Sequence, residues 1–172
     1  PRDFTHLDVV QPLLMHDPGC AVLHLQGDFI LHVAFGYLLA RIGAALARGQ
    51  YLAFIDSDVE LSPHWLQKAL EGFADPQVVA CGCFPRVPKS PTWVQKTWDL
   101  HQRGRRSAVQ LAPTLWLPSM NIMVRRNDFL SIAGFNEHLE TTEDVDLCYR
   151  LAQRGTILCN PGMEAIHWGE AP

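Results

Sequence analysis

No apolar run in this chain reaches the roughly 20 residues that a membrane span requires, and no signal peptide is visible. The most apolar stretch, residues 29–47, is interrupted by His32, Gly36, Arg41 and Gly43, which fits a buried amphipathic helix. A basic surplus is also missing. The formal net charge is −4, whereas a binder of phosphate backbones normally carries the opposite sign, so no nucleic-acid partner is expected. Cysteines are few and scattered, at Cys20, Cys81, Cys83, Cys148 and Cys159. Their odd number and spacing form neither a disulfide framework nor a zinc site, which favours a reducing, cytoplasmic setting. Repeats and low-complexity segments are absent. With 48% hydrophobic and 19% charged residues the composition is that of a folded chain. Its 172 residues suit one domain, 1–172, large enough to bury a core. The chain opens on Pro1 and stops at Pro172 directly behind a motif, which reads as a piece of a longer protein.

What is present is an alternation of strand and helix patterns. Cys20–Gln26 reads as a short strand, and apolar residues from Leu31 to Leu46 recur at helical spacing, with Gly49 as the stop. Tyr51–Ile55 is a continuous apolar run, the mark of a strand buried on both faces. Ser62-Pro63 is a helix start, with Ser as the cap and Pro where a missing N–H costs nothing; that helix runs to about Phe73. Gln77–Phe84 is the next strand, on which Cys81 and Cys83 pack on one sheet face. A helix over Thr92 to about Arg103 and a strand at Leu117–Val124 follow. Asn127 caps a short helix, and Thr141 or Thr142 caps Glu143–Arg154. Strands near 156–159 and 163–167 close the pattern. The order predicts an α/β sandwich around a mostly parallel sheet.

Asp56-Ser57-Asp58 sits just past the carboxyl end of the Tyr51–Ile55 strand, where ligands collect in open α/β sheets. Two carboxylates two residues apart can meet one hard divalent cation, Mg2+ or Mn2+, which leaves positions open for phosphate oxygens. A solvated turn uses the same residue types. The stretch Gly43–Asp58 (GAALARGQYLAFIDSD), continued by Val59–Leu66, resembles the family 2 glycosyltransferases. The resemblance implies a GT-A-like, Rossmann-like three-layer sandwich, with Asp58 as principal metal ligand. Asp56 contacts the nucleotide ribose or assists the metal, and Ser57 joins the substrate-binding residues. One departure is the missing asparagine in Leu39–Gly43, where the family has Ala-Arg-Asn.

Thr142-Glu143-Asp144 opens a second constellation. At helical spacing Asp144, Leu147, Cys148 and Leu151 share one face, and the apolar members turn that face inward. Acids in a first helical turn also simply complement the helix dipole. The segment is similar to the family's E-D-x-D-L-x-x-R-L helix, which implies Asp144 as general base and Glu143 as an acceptor contact. Asp146 faces elsewhere and suits an ion pair with Arg150, four residues on.

Ser119–Arg126, with Ile132–Glu137 behind it, is similar to the family's acceptor-side segment and implies that Asn121 meets donor sugar and acceptor; a strand asparagine held by backbone partners is the alternative. His167, in His167-Trp-Gly-Glu170, stands where relatives complete the metal site. Lys96, Arg103, Arg105 and Arg106 form a basic patch, read as a solvated face or as a contact with a diphosphate or an anionic membrane surface. Trp93, Trp98 and Trp116 flank it as a sugar-stacking surface or as core.

The resemblance spans residues 31–172 and leaves 1–30, where the base-binding strands belong, unmatched. It implies an inverting transferase that moves a sugar from a UDP- or GDP-sugar to the hydroxyl of a glycan or lipid-linked acceptor. Two rivals are a non-catalytic GT-A-like module that binds sugar or protein, and a nucleotidyltransferase, whose Gly-rich phosphate loop is not seen here.

Overall fold

A computed structural model of the chain describes residues 20–25, 40, 43–56, 58–103 and 110–169. Six strands form the central sheet: β1 (Cys20–Leu25), β2 (Tyr51–Asp56), β4 (Val78–Gly82), β5 (Ala112–Pro113), β6 (Asn121–Arg125) and β7 (Thr156–Cys159). Their spatial order is β1-β2-β6-β4-β7-β5. β1 runs parallel to β2 and β4 parallel to β7, while β6 lies antiparallel between β2 and β4 and β5 antiparallel on β7. Four of the six strands therefore point the same way. A separate ribbon pairs β3 (Val59–Leu61) with β8 (Ala165–His167). The numbered helices are α1 (Trp65–Gly72), α2 (Trp93–Arg103), α3 (Arg126–Ser131) and α4 (Glu143–Ala152); residues 40 and 43–46 are helical as well.

The unbroken apolar run of β2 is buried on both faces, as its composition requires. Leu52 and Phe54 join Ile122, Val124, Phe129, Leu147 and Leu151 on the side of α3 and α4. Ala53 and Ile55 face the opposite way, onto Trp65, Ala69, Phe73, Met123 and Met163 on the side of α1. The period-two alternation of a strand thus feeds two cores, one per face, and makes three layers. Cys81 and Cys83 share the α1 side, Cys81 within the core and Cys83 packed against it.

Several element edges differ from the sequence expectation, each for a local reason. Ser62 does not cap a helix with its side chain: its N–H donates to Glu164 O at 3.0 Å, which ties it to the ribbon, and its carbonyl accepts from Trp65 N at 3.0 Å, so α1 starts at Trp65. Asn127 lies inside α3, because Arg126 already anchors that end by donating to Gln50 O and, through its guanidinium, to Ala44 O and Ala45 O. β6 begins at Asn121 because Pro118 to Asn121 form a turn, closed by Asn121 N donating to Pro118 O at 3.2 Å. Thr142 occupies the cap position of α4 without a side-chain cap bond, in a left-handed conformation at φ 62°. A β-branched residue there is strained, and such strain concentrates at functional sites.

Candidate functional site

β2 delivers Asp56 to the carboxyl edge of the sheet, and the turn into β3 carries Asp58. The β3–β8 ribbon then fixes what faces Asp58. Val59 pairs with His167 and Leu61 with Ala165, so the last residue of β8 returns to the first turn after β2. His167 Nε2 lies 3.2 Å from Asp58 Oδ2. The imidazole is buried, with 7% of its residue surface exposed, and packs on the Trp98 ring at 5.2 Å between centroids.

A short strap behind this pair holds it in place. Trp168 N–H donates to Asp58 O at 2.8 Å. Gly169 leaves room for both side chains: a Cβ there would stand 2.6 Å from His167 Nε2 and would also collide with Oδ2 of Asp58. Gln95 on α2, buried at 4% exposure, donates from Nε2 to Gly169 O at 2.9 Å and to Trp168 O at 3.3 Å, while its Oε1 accepts from Thr92 N at 2.8 Å. Sequence reasoning missed Gln95 and Gly169. A helical glutamine and a late glycine carry no motif, and only the packing of α2 against the strap gives them a task.

Negative charge accumulates beside the pair. Burial, above all, raises the carboxyl of Asp56 from its ordinary value to about 6, and the nearby carboxylates of Asp58 and Glu143 push in the same direction. Glu143 comes from the first turn of α4, so that helix end is brought up to the end of β2. Asp144 is half-buried at the same turn, and its Oδ1 accepts from Val145 N–H at 2.8 Å. Leu147, Cys148 and Leu151 are fully buried, as the shared inward face requires. The Cys148 thiol is raised to about 12, first by burial and then, against the lowering effect of a backbone bond at Leu117, by the charge of Asp144. Asp146 takes the structural part expected of it, with Oδ2 at 2.6 Å from Arg150 Nη2. That guanidinium also donates to Ile132 O and Gly134 O.

Asn121 lies beneath this site rather than in it. It is completely buried, its Oδ1 accepts from Trp65 Nε1 at 2.6 Å, and its Nδ2 donates to Cys83 O at 2.9 Å and to Met163 O at 3.1 Å. Its three partners come from α1, the end of β4 and the turn before β8, so as placed it braces the sheet edge, and the direct contact with donor sugar and acceptor does not fit that burial. Ser57 lies outside the described residues, as do the side chain of Arg103 and all of Arg105 and Arg106; Lys96 is exposed. The three expected tryptophans separate: Trp93 is 74% exposed, Trp98 backs His167, and Trp116 packs edge-on against Phe84 at 5.2 Å.

The donor chemistry here, carboxylate oxygen beside imidazole nitrogen with a further carboxylate next to them, suits a divalent cation. Among the described residues no group of three His, Cys, Asp or Glu side chains converges closely enough to hold an ion alone. Asp58 and His167 are the two donor side chains that stand together at this edge. Among the same residues no helix is long and apolar enough to cross a membrane.

The sequence matches the glycosyl transferase family 2 profile over residues 12–132, which takes in Asp56 and Asp58 and ends before α4 and β8. It is 33% identical over 124 residues to the pre-mycofactocin glycosyltransferase of Mycobacterium tuberculosis, covering 67% of this chain and 26% of that protein. It is 26% identical to the validoxylamine A glucosyltransferase of Streptomyces hygroscopicus subsp. jinggangensis, covering 86% of this chain and 42% of that one. The chain spans about a quarter of the length of the first relative. Among solved structures, a mannosyltransferase from Pyrobaculum calidifontis in complex with GDP-Man and Mn2+ superposes with a TM-score of 0.58 at 15% identity, over 77% of this chain and 36% of that one. GalNAc-T7 with UDP, GalNAc and Mn2+ does so with a TM-score of 0.53 at 17% identity, over 76% and 30%. At these identities the likeness establishes the fold, the GT-A sandwich.

Proposed function

The chain belongs to glycosyl transferase family 2, and from that premise we propose that it moves a sugar from a nucleoside-diphosphate sugar to an acceptor hydroxyl with inversion at the anomeric carbon. The observation that carries this reading is the pairing of Asp58 with His167 at 3.2 Å beside Asp56. It joins two sequence motifs at the edge where ligands gather. UDP- and GDP-sugars are the donors to try first, given the ligands held by the two solved structures of the same fold. The acceptor is a glycan or a lipid-linked saccharide.

Asp58 and His167 would hold Mg2+ or Mn2+. When bound, the ion supplies positive charge against which a leaving diphosphate develops its own. The residues of the chain do the rest. Asp144, oriented at the first turn of α4, takes the proton from the acceptor hydroxyl as it attacks. Glu143 positions that acceptor, and Asp56 faces the nucleotide ribose. Thr142, fixed in its left-handed conformation, sets the direction in which both acids leave the helix end. Holding donor and acceptor in line supplies a large part of the rate. One base and no covalent intermediate imply inversion.

A donor screen with and without Mn2+, on the wild-type chain and on Asp144→Asn, tests the proposal. Turnover should require the cation and vanish in Asp144→Asn, while donor binding persists. Equal turnover in both proteins would remove Asp144 from its role. Donor binding indifferent to Mn2+ would remove the cation.

A further inference from the structure

The outer face of the β3–β8 ribbon carries a second candidate site. Alternation along the two strands buries Val59, Ala165 and His167 and leaves Glu60, Ile166 and, one step past β8, Trp168 on the other side. Trp168 is 51% exposed, yet it is held: its Nε1 donates to Glu60 Oε2 at 2.9 Å. The chain after β4 runs alongside this face, bridging at Arg86 to Ile166, with Arg86 N–H donating to Ala165 O at 2.9 Å. Pro88, Lys89 and Ser90 then form the opposite wall. Together with Glu60, Ile166 and Trp168 they enclose an open groove of about 360 Å³, at the small end of the roughly 300–1,000 Å³ typical of ligand sites.

The lining indicates the chemistry of the occupant. An indole, an isoleucine and a proline supply apolar surface; a carboxylate, an ammonium and a hydroxyl stand around them. The charges of Glu60 and Lys89 cancel, and the next cation, Arg86, stands 3.5 Å from Glu164. A phosphate or diphosphate therefore meets no net positive field here. A neutral pyranose matches the lining: its C–H face lies on an aromatic plate, and its hydroxyls reach acceptors and donors at the rim.

We propose that this groove binds a neutral pyranose ring stacked on Trp168, at a subsite on the opposite face of the ribbon from His167. In its biological role, which rests on the transferase reading, it grips a non-reacting sugar of an oligosaccharide acceptor. The subsite is tied to the reaction centre through the backbone, since Trp168 N–H bonds Asp58 O.

The test uses the whole chain labelled with 15N at its five tryptophans, with Trp168→Ala assigning one indole resonance. Titration with methyl β-D-glucopyranoside, methyl α-D-mannopyranoside and cellobiose should move the Trp168 indole and leave that of the buried Trp65 in place. Saturation transfer from protein to sugar should fall roughly two- to tenfold in Trp168→Ala and less in Trp168→Phe. An unmoved Trp65 resonance in each variant reports a retained fold. The proposal is overturned if inorganic phosphate moves the Trp168 indole more than every saccharide does, if no saccharide moves it, or if transfer is undiminished in Trp168→Ala. Cation-dependent donor binding is measured on the same wild-type sample, so failure of the groove and failure of the transferase reading are told apart.

Discussion

His167 meets Asp58 because Val59 pairs with His167 across the β3–β8 ribbon, which sets Nε2 at 3.2 Å from Oδ2. Two residues far apart in the sequence thereby stand side by side, and the inner residues of the ribbon, Val59 and Ala165, also roof the α1 core.

Removing either partner should abolish what the pair does while leaving the fold. Asp58→Asn and His167→Ala are each expected to lower Mn2+-dependent donor affinity by roughly 10- to 100-fold, the range seen when metal-site residues and their supports are changed. Isothermal titration of the donor with and without Mn2+, beside a thermal melt, checks this. Affinity unchanged in both variants would refute it.

Gly169→Ala tests the strap. The added methyl would press on the carboxylate of Asp58 and stand 2.6 Å from His167 Nε2. Both are the far ends of side chains that can turn away, so the fold survives while the pair opens. The expected result is a loss of cation-dependent binding approaching that of His167→Ala, with Tm nearly unchanged. A large drop in Tm with intact binding would show that the strap serves stability alone.

The raised carboxyl of Asp56 has a consequence for stability in metal-free buffer. Its folded value of about 6 lies above the ordinary 3.8, so between those values the folded chain holds a proton that the unfolded chain has released. Stability from this group is present below pH 4, is lost as pH rises toward 6, and stays lost above. Asp56→Asn, which carries no charge to desolvate, should raise Tm at pH 7 by a few degrees, at roughly 2–4 °C per kcal/mol for a chain of this size. It should also flatten the melting profile between pH 4 and 6 and weaken donor binding. A variant no more stable than wild type at pH 7 would contradict the assignment.

Trp65→Phe addresses the brace beneath the site. It leaves the fully buried Oδ1 of Asn121 without the indole donor that now lies at 2.6 Å, at a cost of about 1–3 kcal/mol. A denaturant melt should show that loss. Because Asn121 also holds Cys83 O and Met163 O, donor affinity should weaken less than stability does.

Much of this was legible in the residues. A short unbroken apolar run fits a strand covered on both sides, and Tyr51–Ile55 is one. The inward face of α4 followed from Leu147, Cys148 and Leu151 at helical spacing, and the Asp146–Arg150 pair from a separation of four. The placement of Asn121 was not legible for a physical reason: an asparagine in a strand looks the same whether its amide points to a ligand or to three interior partners. The edges of α1 and α3 shifted because tertiary bonds from Ser62 and Arg126 took over the work that local caps would have done.

By itself the sequence determined the layered α/β pattern and the local placement of its acids, since both depend on side-chain periodicity within single elements. Only the tertiary structure decided that Asp58 and His167 face each other, that burial, with Asp58 and Glu143 adding to it, raises the pKa of Asp56, and that Gln95 and Gly169 hold the strap. Those relations depend on which strands pair and how helices pack on them, and pairing across long stretches of chain leaves no trace in local spacing.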